Sequence, residues 1–253
     1  MEPLKQIDRM DNQENNDTIK NIEDLIQNGL VPDIFKMEQS YKLMLTLGKY
    51  AYDLDYGNLR QYRDYFAVMN SSLQNEAIMA AARVFDVPNG RYPTRCLKAL
   101  LDYLRNTIEL TTIKQPYQLK LQLEYIHAPI QLKTIASERP AIFAGTFSEY
   151  IYDQLEEQEI KTTLDKLKKF RDKAVAHNEN NDKIFGPKWV SIKNLINIAK
   201  EVVGIVGWAY LSTAYFIDGK YLLTGDAEIS SRALEKMLNI LLKYGMEDIY
   251  DEE

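Results

Sequence analysis

The chain has 253 residues, 45% of them hydrophobic and 27% charged, with 31 basic against 37 acidic side chains and a net charge of −6. These are ordinary values for a protein that can bury a sizeable core. A single cysteine, Cys96, excludes an intramolecular disulfide framework and a cysteine-based zinc cage, and two histidines leave little room for a His-rich metal site. Eleven glycines and eight prolines are few for a turn-rich all-β fold. The acidic balance argues against a broad surface coated by nucleic acid, although it permits a small basic site.

Residues 1–17 are polar and read as a flexible tail, because they cannot bury enough apolar surface to offset ordering. They lack the apolar core of a secretion signal, which points to a cytoplasmic protein. From Thr18 to Asn28 the residues Ile19, Ile22, Leu25 and Ile26 fall at helical spacing, and Gly29 is the expected stop. A second helical segment follows from Asp33. A long one runs from Asn58 to Asp86, with Tyr62, Tyr65, Phe66, Met69, Leu73, Ala77, Met79, Ala80 and Val84 as its apolar positions. Pro88 and Gly90 end it, and Thr94 is a candidate N-cap for a helix over residues 95–107.

Pro116 opens the next helix, which Pro129 kinks or ends. A further long segment spans about Phe147 to Ala176 and gives way to an Asn/Asp-rich loop at residues 177–187. Trp189 to Ile217 is expected as one helix, and Ile229 to Tyr244 as the last. Val202 to Ile217 carries no charge over sixteen residues, which is short for a spanning helix and fits a buried bundle centre or an interface. With no convincing strand alternation, the expectation is one all-α domain over residues 18–253, soluble and without a membrane span.

Phosphate-binding glycine loops and GxSxG, HExxH or CxxC motifs do not occur. Chemistry concentrates instead at the end of the Phe147–Ala176 segment. Between Lys161 and Lys173 stand six basic residues (Lys161, Lys166, Lys168, Lys169, Arg171, Lys173) and two acidic ones, Asp165 and Asp172, a local excess of four positive charges. A run like this is commonly just a solvated face. Here it leads to His177, where the helical pattern stops. A histidine near a helix C-terminus has its cationic form favoured, and it titrates close to physiological pH. Arg171, Asp172 and His177 thus group an anion binder, an orienting carboxylate and a proton-transfer group. On an ideal straight helix Arg171 and His177 stand about 120° apart. To converge they need the helix to unwind before His177, a long reach across a groove, or a second copy of the site.

The heptapeptide Arg171-Asp172-Lys173-Ala174-Val175-Ala176-His177 resembles the R-x(4–6)-H signature of the HEPN superfamily. Ala82-Arg83-Val84-Phe85-Asp86 looks like the helix end of its abortive-infection, AbiU-type branch. The resemblance covers about residues 58–216. It implies a HEPN-like helical bundle, with additional N- and C-terminal helices, that dimerises through the motif-bearing helices. It also implies a metal-independent endoribonuclease of a defence or toxin system, needing no cofactor. In that reading His177 moves the proton of a ribose 2′-hydroxyl or of the leaving oxygen, Arg171 binds the scissile phosphate and Asp172 orients one of them. Lys168, Lys169, Lys173 and Asn178 would hold the RNA backbone. An antitoxin or regulatory protein would be a further partner. The alternative is a non-catalytic HEPN-like module that binds a nucleotide or a protein.

Glu179 stands where some family members carry a modifiable tyrosine, and with Asp182 it brings negative charge beside the phosphate site. Arg83 and Asp86 read either as a helix-end ion pair or as supports for Arg171 from a neighbouring helix. His127 reads as a structural histidine and Cys96 as core. Asp153, Glu156, Glu157 and Glu159 read as a solvated acidic face, and most of the seventeen tyrosines as core and interface residues.

Overall fold

The chain winds into an all-α bundle interrupted by one small hairpin, as seen in a computed structural model that describes residues 16–88, 91, 94–172 and 186–244. Lys173, His177 and Asn178, and with them most of the Asn/Asp-rich segment, lie outside the described residues. Helix α1 covers residues 16–25 and passes through a π-helical turn, Ile26–Leu30, directly into α2, Val31–Lys49. Gly29 therefore does not stop the helix. A Cβ on it would lie 2.2 Å from the Arg95 Cβ, so glycine is there because another segment crosses at that point.

Helix α3 is short, Ala51–Asp55, and α4 runs from Arg63 to Val84. Tyr65, expected among the apolar positions of α4, is 67% exposed, beside buried Phe66. Helix α5 is Leu97–Asn106, capped at Cys96 rather than at Thr94. The Thr94 hydroxyl is buried with no hydrogen-bond partner among the described residues, and Cys96 is buried as expected. Helix α6, Pro116–Tyr125, has proline in its first turn, where the missing N–H costs nothing. The chain then reverses through His127, at φ 53°, into α7, Ile130–Glu138.

The segment expected as one helix from Phe147 to Ala176 is two: α8, Phe143–Glu156, and α9, Gln158–Phe170, broken at the extended Glu157 (φ −54°, ψ 135°). The reason lies in the phase of the apolar stripe. Phe143, Phe147 and Ile151 face one core, and Ile160, Thr163 and Leu167 face another. Ile160 follows Ile151 by nine positions, about half a turn out of register on a continuous helix. Breaking the helix lets both stripes be buried.

Helix α10 covers Trp189–Val206 and widens into a π turn, Gly207–Leu211, ended by left-handed Ser212. The stretch expected to continue it to Ile217 forms instead an antiparallel hairpin, β1 Phe216–Ile217 with β2 Lys220–Tyr221. Asp218 and Gly219 both have positive φ, 48° and 78°, the turn that an Asp-Gly pair favours between strands. Helix α11, Glu228–Tyr244, completes the described chain.

Three apolar clusters hold the bundle. The largest joins α1 and the start of α2 to α5, α6, α7, α8 and α10, with Leu100, Leu101, Phe143, Phe147, Val202 and Val206 sealed from solvent. A second packs Met37 of α2 with Ile78 of α4, Leu167 of α9 and Leu195 of α10. The third closes the far end of α2 with α3, α4 and α11 through Leu47, Leu59, Phe66 and Leu238. Each fully buried aliphatic or aromatic side chain in them contributes roughly 1.5–3 kcal/mol. Among the described residues no helix is long and apolar enough to cross a membrane.

Candidate functional site

Arg171 sits one residue past α9, and its backbone N–H continues the ladder to the carbonyls of Leu167 and Lys168. Leu167, in the second cluster, anchors this last turn, so the position of Arg171 is set by the core. Its side chain is 22% exposed and held at two points. Nε donates to Asp172 Oδ1 at 2.7 Å, and Nη1 donates to Asp86 Oδ2 at 3.3 Å. Asp86 lies just beyond the end of α4, and its other oxygen accepts the Val87 N–H at 2.9 Å. Two helix ends therefore meet across one guanidinium.

The hydrogen bond to Asp172 comes first, and the Asp86 charge adds to it, in holding the Arg171 guanidinium above its ordinary range. Its cation is permanent. Two of its five N–H groups are used in these bonds. The others make no hydrogen bond among the described residues, and a planar oxyanion is the partner that arginine binds with two parallel hydrogen bonds. Lys166, Lys168 and Lys169 are exposed along α9, whereas Lys161 at its start is drawn to Glu156 at 2.5 Å. Gly186, where the described chain resumes, lies against the Phe170 ring: a Cβ there would be 3.3 Å from it.

Of the residues singled out from sequence, the structure brings together Arg171, Asp172 and Asp86, with Lys168 and Lys169 on the adjoining turn. Arg83 is not part of this group. Its guanidinium pairs with Asp33 of α2 at 2.9 Å and with Glu76 at 3.6 Å, and the Asp33 hydrogen bond raises its pKa. Arg83 thus fastens α4 to α2, and of this pair it is Asp86 that supports Arg171. Lys173, His177 and Asn178 lie outside the described residues. His127 is exposed in the α6–α7 connection, and no group of metal-ligating side chains occurs among the described residues.

Sequence reasoning missed a second charged cluster. A cavity of about 430 Å³ lies between α2, α10, the hairpin and the start of α11. Lys200 Nζ donates to Glu38 Oε1 at 2.7 Å, both side chains being 11% exposed, and lies 5.1 Å from the centre of the Tyr221 ring. Lys42 bonds to Glu228, and Arg232 to Asp226. Glu201 opens on the same cavity, and burial pushes its carboxyl up to about 7. The signal was in the sequence: a Lys200-Glu201 pair inside the apolar run of α10 must find partners or lose its charge.

Compared with protein-family models, curated proteins and solved structures, the chain matches none.

Proposed function

We propose that the chain is a metal-independent endoribonuclease whose site is built on Arg171, Asp172 and His177, as its likeness to the HEPN superfamily implies. The observation carrying this reading is the Arg171 guanidinium, fixed at a helix end by Asp172 and Asp86 with donors to spare, next to a row of exposed lysines. Arg171 holds the scissile phosphate and stabilises the charge that grows on it in the transition state. His177, six residues on, takes the proton of the ribose 2′-hydroxyl as its oxygen attacks phosphorus. The P–O5′ bond breaks, and the 5′-oxygen leaves with a proton. The products are a 2′,3′-cyclic phosphate and a 5′-hydroxyl. The nucleophile is internal to the substrate, so the step calls on no metal. Lys168, Lys169, Lys173 and Asn178 hold the flanking backbone, an attraction that salt weakens.

A homodimer formed through the motif-bearing α9 would place two such sites beside each other and resolve the 120° mismatch between Arg171 and His177. A toxin-type nuclease also calls for an antitoxin or regulatory partner, and its RNA substrate places it in the cytoplasm.

The test is cleavage of a mixed RNA pool in EDTA by wild type, Arg171→Ala and His177→Ala. Cyclic-phosphate ends with wild type, and loss of cleavage by about a hundredfold or more in both variants, is the expected result. Equal cleavage by all three would sink the assignment. One observation favours a second reading, a non-catalytic module for a nucleotide or protein. Two carboxylates already compete for the single Arg171 cation. Nucleotide binding without cleavage, lost in Arg171→Ala, would select that reading.

A further inference from the structure

One concavity of the described structure is mainly apolar. It measures about 690 Å³ and lies between the segment Thr112–Pro116, α6 and α7, within the range of small-molecule sites. Its lower wall is fixed rather than loose. The Lys114 N–H donates to the Ala209 carbonyl at 2.8 Å, and the Gln115 N–H to the Trp208 carbonyl at 3.2 Å, so the segment is pinned to the π turn that ends α10. Pro116 then starts α6, and Ala128 N–H closes the reversal onto the Leu123 carbonyl at 2.9 Å.

The floor is Leu123, sealed from solvent, with Ile113 and Ala136. Tyr117, 68% exposed, stands at the side. Lys120 of α6 and Lys133 of α7 line the same groove, and among the described residues no carboxylate does. Lys120 lies 4.0 Å from Glu124 on the next turn, and Lys133 forms no ion pair among the described residues. The hydroxyls of Thr134 and Ser137 are spent on carbonyls of α7, so the lysines are the groove's available charged donors. An apolar floor bordered by cations alone, in a chain of net charge −6, selects for one sign of ligand.

We propose that this groove binds a hydrophobic monoanion: an acyl chain laid along Leu123, Ile113 and Ala136, with its carboxylate between Lys120 and Lys133. The assignment is independent of the Arg171 site and stands whether or not the protein cleaves RNA.

The experiment is calorimetric titration of the full chain with decanoate, decanol and decyltrimethylammonium, each below its micelle concentration, and with AMP. The three amphiphiles share a chain and differ in head-group charge. Decanoate is expected to bind about tenfold tighter than decyltrimethylammonium. It should lose about tenfold in the variant Lys120→Glu/Lys133→Glu, whose fold circular dichroism checks. Ala136→Trp, which fills the floor, should abolish binding, and a nitroxide-labelled acyl chain should broaden the amide signals of residues 112–123 and 133–137. Three results would overturn the proposal: equal affinity for all three amphiphiles, an unchanged affinity after charge reversal, or AMP binding here without decanoate.

Discussion

Two charge clusters of this protein are built on opposite plans. At the α9 corner one cation meets two carboxylates, all three partly open to solvent. In the α2–α10 cavity one carboxylate, Glu38, meets two cations, Lys200 at 2.7 Å and Lys42 at 3.6 Å, with Lys200 and Glu38 each 11% exposed. The first arrangement is worth under about 1 kcal/mol per pair, because water and salt compete with it. It can therefore exchange a carboxylate for a substrate oxyanion at little cost. The second has no such freedom, since removing one partner strands a charge away from water. Exposure separates a site that can trade partners from a strut that cannot.

Breaking the strut should give the largest effect. Glu38→Ala leaves the Lys200 ammonium buried and should cost about 3–5 kcal/mol in urea unfolding, whereas Glu38→Leu/Lys200→Met should recover most of the loss. If the single and double variants were equally unstable, the pair would matter for packing alone.

Glu201 sharpens the same contrast through pH. Its folded-state pKa, about 7, lies above the ordinary 4.5. Folding therefore favours its protonated form, and stability is full below pH 4.5 and falls as pH rises through 7. Glu201→Gln should match wild type at pH 4.5 and exceed it by about 2 kcal/mol at pH 8, after discounting for the carboxyl's partial exposure. A variant equally stable at both pH values would mean that Glu201 is solvated. The smallest effect belongs to the exposed corner. Asp86→Asn should change stability by less than about 1 kcal/mol while tightening RNA binding about threefold, because it relieves Arg171 of one competing anion. Weaker binding in Asp86→Asn would show that orientation outweighs competition.

Much of this architecture is legible in the sequence, and the exceptions have definite causes. Helical spacing locates α4, α6 and α11 to within a few residues, and Pro116 marks its helix start. The α8–α9 break escapes a test of periodicity, since both halves have helical spacing. It emerges when Ile151 and Ile160 are checked for phase. The hairpin is announced by Asp218-Gly219, outweighed by the apolar run before it. Gly29 misleads because its reason is Arg95, remote in sequence. At the site, Arg171 and Asp172 are neighbours, and Asp86 is readable as a support by resemblance. Choosing Asp86 over Arg83 requires the packing of α4 on α2, where Asp33 captures Arg83. Partner choice between ions is a long-range outcome that local pattern does not encode.

The most direct measurement takes activity and stability from the same sample: RNA cleavage in EDTA and urea unfolding of wild type and Arg171→Ala. The account requires cleavage to fall by about a hundredfold or more while unfolding free energy shifts by no more than about 1 kcal/mol. Cleavage preserved in a variant that has lost several kcal/mol would contradict it, making Arg171 a strut like Lys200 and leaving the α9 corner without chemistry.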